Sequence, residues 1–124
     1  RFNFDNHTFS LPKKRINSFI SWNFKDYSLS LNSRYLDGYI NERAITGLGL
    51  TYGYNNQVKS FFVHDASFEK IIYMSKGNLN FRFYLSNILD KSAPRLYDSP
   101  DFSFDTRLHD PRGRILGLNI EYNY

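Results

Sequence analysis

Asn78-Leu79-Asn80-Phe81-Arg82-Phe83-Tyr84-Leu85-Ser86-Asn87 is the stretch whose pattern decides the fold. Leu79, Phe81, Phe83 and Leu85 fall on one side of it, and Asn78, Asn80, Arg82, Tyr84 and Ser86 on the other. A period of two is the side-chain repeat of an extended strand, whereas on a helix these apolar residues would share no face. The last residues repeat the pattern, with Leu116, Leu118, Ile120, Tyr122 and Tyr124 alternating with Gly117, Asn119, Glu121 and Asn123. Earlier in the chain, Tyr27, Leu29, Leu31 and Tyr35 alternate with Ser28, Ser30, Asn32 and Arg34, which predicts a strand within 27–39. Two less regular strands are predicted at 16–24 and 61–73. In the first, Ile16, Ile20, Trp22 and Phe24 oppose Asn17, Ser21 and Asn23; in the second, Phe62, Ala66 and Phe68 oppose Asp65, Ser67 and Glu69. Phe19 and Lys70 interrupt these alternations.

The links between these strands are unequal. Lys25-Asp26 and Ser75-Lys76-Gly77 read as tight turns, while 40–59 and 89–112 are long. Short turns at one end of a sheet and long loops at the other describe an outer-membrane β-barrel. Strands of ~9 to 11 residues suit that setting, since strands of soluble sheets average about 5 or 6. Trp22, Tyr27, Tyr35, Tyr39, Tyr73, Tyr122 and Tyr124 fall near strand ends, where an interfacial aromatic girdle would place them. A soluble antiparallel sandwich with one wet face would alternate too, but it gives less reason for that placement.

Composition sets outer bounds. The chain has 124 residues, enough for one ordinary domain or part of a larger one. Its 16 Lys and Arg against 12 Asp and Glu leave a net charge of +4, scattered rather than gathered, which argues against a nucleic-acid partner. The absence of cysteine excludes a disulfide framework, a zinc ribbon and a thiol nucleophile. No run of ~18 apolar residues is present, so a membrane helix is excluded, but a barrel hides its apolar half in alternation. The chain opens on Arg1 without the features of a signal peptide. About five strands cannot close a membrane barrel, for which about eight are the minimum, so the remaining strands are expected before Arg1 or on another chain.

A family resemblance follows from motifs in order. Leu11-Pro12-Lys13-Lys14-Arg15 precedes one strand; Ser33-Arg34-Tyr35 with Gly38-Tyr39 ends the next. Ser86-Asn87-Ile88-Leu89-Asp90-Lys91 follows the Asn78 strand and leads to Ala93-Pro94 and Tyr97-Asp98. His109-Asp110-Pro111-Arg112-Gly113-Arg114 introduces the last strand, whose Leu118, Ile120, Tyr122 and Tyr124 have the form of the outer-membrane assembly signal. From Pro12 to Tyr124 the set resembles the C-terminal part of TonB-dependent outer-membrane receptors. Two departures stand out: Ile88 and Leu89 occupy places where that family commonly has Leu and Phe, and Tyr124 stands where Phe is usual.

The resemblance implies an all-β fold, in which these strands are the last of a 22-stranded antiparallel transmembrane barrel. It also implies a plug domain and a TonB-contacting segment ahead of Arg1, location in the bacterial outer membrane, and uptake of a scarce bulky solute. Ferric siderophore, haem, cobalamin and carbohydrate all remain open as that solute. A plug-less porin-like barrel, and a soluble carbohydrate-binding β-sandwich, are the other function classes. The expected partners are outer-membrane lipid, the rest of the barrel and plug, the TonB complex and the solute.

Individual residues carry further expectations. Asn87 and Asp90 sit where a ladder frays into a loop, where short polar side chains satisfy local backbone groups. Pro94 and Pro111 forbid continued pairing. Arg112 and Arg114, flanking Gly113, have Asp98, Asp101, Asp105 and Asp110 as candidate ion-pair partners. Arg34, Tyr39, Arg43, Tyr52, Tyr54 and Arg82 are candidate solute contacts, since aromatic and guanidinium groups suit siderophores and sugars. His7, His64 and His109 lack metal-ligand spacing, and the acidic loop lacks compact calcium-loop spacing. No phosphate-binding glycine loop or placed nucleophile is present, so neither an enzyme nor a cofactor is expected.

Overall fold

The structure, a computed structural model, describes residues 12–41, 57–95, 104–106 and 108–124. Its strands are β1 (Arg15–Phe24), β2 (Tyr27–Leu36), β3 (Tyr39–Ile40), β4 (Gln57–Val58), β5 (Phe61–Met74), β6 (Gly77–Ser86) and β7 (Ile115–Asn123). Five of them form one antiparallel sheet in the order β1-β2-β5-β6-β7, while β3 and β4 form a separate pair. The alternating stretches are therefore strands, and the stretch at 61–73 becomes the longest, at 14 residues.

Tight turns set the register. Lys25-Asp26 links β1 to β2 with Lys25 at φ 52. Ser75-Lys76 links β5 to β6, and Gly77 follows at φ 104, a left-handed position that favours glycine. With Met74 opposite Gly77, the ladder runs through Ile72–Leu79, Lys70–Phe81, Phe68–Phe83 and Ala66–Leu85 on one face. The other face pairs Ile71–Asn80 and Glu69–Arg82. β7 continues both faces: Tyr122, Ile120, Leu118 and Leu116 lie opposite Leu79, Phe81, Phe83 and Leu85, and Asn119 lies opposite Arg82. β2 meets β5 through the Asp26 carbonyl, which accepts the Ile71 N–H at 2.9 Å, and through the Tyr27–Phe68 and Tyr35–Phe62 ring pairs.

One expectation is corrected. The alternation predicts a strand reaching Tyr39 and a single long connection over 40–59. β2 instead stops at Leu36, where the Asp37 carboxylate accepts the Gly38 N–H at 3.0 Å and turns the chain. Tyr39 and Ile40 then pair with Val58 and Gln57, so that connection begins and ends in a short ladder.

Contacts divide the chain into two compact units. One contains Asn17–Arg34, Val63–Lys91 and Arg112–Tyr124, and so most of the ladder. Its apolar face is largely open, with Leu116, Leu118 and Ile120 at 64%, 64% and 57% exposure. The other includes the described parts of Tyr35–Phe62 and Ser92–Pro111, and holds a small core of Tyr39 and Val58 with Leu108 against it.

On the polar face, Gly117 lies opposite Tyr84, whose ring occupies the space that a Cβ at 117 would need. Gly117→Val should push that ring off its site and lower unfolding stability by about 1–3 kcal/mol, as overpacking generally does. Equilibrium denaturation checks this. Adding Tyr84→Ala should recover part of the loss, because the clash is with that ring.

Candidate functional site

The polar face is organised by two carboxylates on β5. The alternation places Asp65, Ser67 and Glu69 on one side of that strand, facing the polar residues of both neighbours. Asp65 accepts the Arg34 guanidinium from β2 at 2.9 Å, the Ser86 hydroxyl from β6 at 2.7 Å and the Asn87 backbone N–H at 2.9 Å. Glu69 accepts Asn80 Nδ2 at 2.7 Å and two nitrogens of Arg82, each at 3.1 Å. The Ser30 and Ser67 hydroxyls hydrogen-bond at 2.6 Å. Arg34 and Arg82, two of the candidate solute contacts, are thus neutralised in place, with side chains 49% and 51% exposed. Such an array can present ordered guanidinium donors to a polar ligand.

The polar face leads into an ordered loop base. Beyond β6 the Ile88 N–H bonds the His64 carbonyl at 2.8 Å, and Asn87 turns the chain at φ 52. Asn87 Oδ1 accepts the Lys91 N–H and its Nδ2 donates to the Lys91 carbonyl, both at 2.9 Å, so the amide mimics a ladder partner where pairing ends. Asp90, also at φ 52, accepts the Arg114 backbone N–H at 2.8 Å and thereby ties the loop base to the approach of β7. A Cβ at Gly113 would come within 2.7 Å of the same Asp90 oxygen. Pro94, Asp110, Pro111 and Arg112 lie in irregular chain between β6 and β7. Among the ion-pair candidates, Asp98 and Asp101 lie outside the described residues, and the tie recorded at Arg114 runs from its backbone to Asp90.

Tyr39 is buried, packed face to face with the His109 ring at 6.3 Å, and Phe61 meets that imidazole edge-on at 4.9 Å. The Tyr39 ring thus serves as core rather than as displayed surface. Arg43, Tyr52, Tyr54 and His7 lie outside the described residues. His64 Nδ1 meets the Ser33 hydroxyl at 2.8 Å. Among the described residues no group of three or more His, Asp or Glu is gathered as a metal would require. Leu118, Ile120 and Tyr122 lie on the apolar face of β7, and the Tyr122 hydroxyl donates to the Lys76 carbonyl. No protein-family model, curated protein or solved structure matches the chain.

Sequence reasoning placed Asp65 and Glu69 on a polar face but missed their partners. Those partners lie 11 to 31 residues away, so they become visible only once the register is known. The signal was present in the opposite charges of Arg34 and Arg82 on neighbouring strands.

Asp65→Ala strands the Ser86 and Asn87 donors and should cost about 1–3 kcal/mol. Arg34→Ala breaks only a half-exposed pair and should cost at most about 1 kcal/mol. Denaturation midpoints give the order, and faster exchange of the Asn87 amide in Asp65→Ala identifies the cause. His109 is held below its ordinary pKa by burial, partly offset by the attraction of Asp105. The unfolded chain therefore takes up the proton first, and His109 packing should weaken as pH falls below about 6.5. An imidazole NMR titration should place the midpoint under that value, and His109→Phe should remove this part of the pH dependence of stability.

Proposed function

We propose that the chain is the C-terminal part of the barrel of a TonB-dependent outer-membrane receptor, one that takes up a scarce bulky solute by binding and gated passage without covalent chemistry. The observation that carries this reading is the contrast between the two faces of one long-stranded sheet. A ten-residue strand rising ~3.3 Å per residue is about 33 Å long, and at a tilt near 40° it crosses about 25 Å, the height of a barrel's apolar band. The face with Leu79, Phe81, Phe83, Leu116, Leu118 and Ile120 then meets hydrocarbon. The face with the Asp65–Arg34 and Glu69–Arg82 pairs becomes the lumen wall.

A soluble sandwich would cover the apolar face with a second sheet. Each large apolar side chain gains ~1.5–3 kcal/mol on full burial, and the open Leu116, Leu118 and Ile120 forgo most of it in water. In the proposed barrel, lipid covers them. The two outer strands of the sheet pair with further strands, because an open edge in hydrocarbon leaves backbone groups unsatisfied at several kcal/mol each. Siderophore, haem, cobalamin and carbohydrate remain the solute classes, with Arg34 and Arg82 as lumen-side contacts.

The test is the intact mass and N-terminal peptide sequence of the polypeptide carrying these strands, recovered from a detergent-solubilised outer-membrane fraction. A mass several times 14.7 kDa with a plug domain ahead of the barrel is the expected result. A barrel without a plug would replace the receptor with a porin-like protein. A 14.7 kDa protein in a detergent-free soluble fraction would overturn the membrane reading.

A further inference from the structure

Among the described residues, the apolar face carries a single charged side chain, that of Lys70. In β2 it shows Tyr27, Leu29, Leu31, Ser33 and Tyr35, and beyond Gly77 β6 and β7 contribute Leu, Phe, Ile and Tyr to it. In β5 the same side runs Phe62, His64, Ala66, Phe68, Lys70, Ile72 and Met74. Lys70 thus stands opposite Phe81 in the midst of hydrocarbon side chains. Its ammonium lies 4.9 Å from the centre of the Tyr27 ring, so the side chain reaches toward the Lys25-Asp26 turn.

A second cation waits at that turn. The Lys25 ammonium lies 5.3 Å over the Phe24 ring, and Phe24 is stacked on Trp22 at 5.7 Å. The two-residue turn sets Phe24 opposite Tyr27, so the rings beneath the two ammonium groups belong to facing positions of one hairpin. Among the described residues neither lysine has a carboxylate partner. The nearest acid in sequence is Asp26, whose backbone carbonyl is bonded to Ile71. Trp22, Phe24 and Tyr27 are all exposed.

We propose that this end of the sheet binds the headgroup phosphate of an anionic phospholipid, phosphatidylglycerol in type, between Lys70 and Lys25, with its acyl chains along the apolar face. The site rests on the proposed membrane reading, which puts this face in lipid and the short-turn end at an interface. Charge complementarity selects the occupant. Two unpaired cations above aromatic rings suit a phosphate at the level where the aromatic girdle meets water, and an apolar face below them suits the chains. A zwitterionic lipid, which brings its own cation, satisfies them less well.

Native mass spectrometry of the detergent-purified polypeptide carrying these strands tests this, with phosphatidylglycerol and phosphatidylcholine of matched chains as probes. The expected result is several-fold more phosphatidylglycerol bound than phosphatidylcholine, a ratio that falls toward one in Lys70→Met and Lys25→Gln. The preference should also weaken with added salt in the unaltered protein, a readout that does not depend on the variants folding. Equal retention of the two lipids, or a preference untouched by salt and by both substitutions, overturns the site. Quenching of Trp22 by chain-brominated lipid, read as a difference from Trp22→Phe, separates the two levels of failure. Quenching without headgroup preference removes the phosphate site alone, whereas no quenching removes the lipid-facing reading beneath it.

Discussion

The register of the β5–β6–β7 ladder is the constraint on which everything else depends. Side chains alternate with a period of two, so a slip of one residue would carry Phe81, Phe83, Leu118 and Ile120 to the polar side and Arg82 and Glu121 to the apolar one. The register is fixed at one end by the turn before Gly77, whose left-handed backbone disfavours side-chain-bearing residues. At the other end it is fixed by Asp65, which gathers donors from β2, β6 and the residue after β6. Covalent geometry sets one end and a hydrogen-bond hub the other, and the pairs between them follow.

The two faces use different physics for the same ladder. On the polar face, neighbouring strands are joined by directional contacts: Arg34 to Asp65, Ser30 to Ser67, Arg82 and Asn80 to Glu69. Pairs of this kind between half-exposed groups add little stability, about 0–1 kcal/mol each, but they hold long side chains in defined positions. On the apolar face the contacts are rings and branched chains, such as Tyr27 on Phe68 and Tyr35 on Phe62, and these gain from burial without fixing a direction.

Much of the fold was legible because alternation is a local signal. The stretches at 78–87 and 116–124 could be read without knowing their neighbours, since each carries its own two faces. The β3–β4 pair was not legible. Two residues are too few to show a period, and Tyr39 meets Val58 across 40–59, where no pattern links the two ends. The burial of His109 was hidden for a related reason, because its neighbours Tyr39 and Phe61 come from distant segments. Asn87 and Asp90 could be recognised as loop formers from residue type, yet only Asn87 acts locally. Asp90 reaches 24 residues along the chain to Arg114.

That last contact separates the length of a loop from the geometry of its base. With the Asp90 carboxylate on the Arg114 amide, the chain enters and leaves at fixed points whatever lies between. For a flexible segment closed at its base, doubling the number of residues adds only ~0.6 kcal/mol of closure entropy. The ladder is therefore held by the contact between the two ends of this connection rather than by the number of residues within it, while Leu108 and His109 belong to the small core around Tyr39. A frame of this kind can keep one sheet while varying what it displays, as a tool keeps its shank and changes its bit.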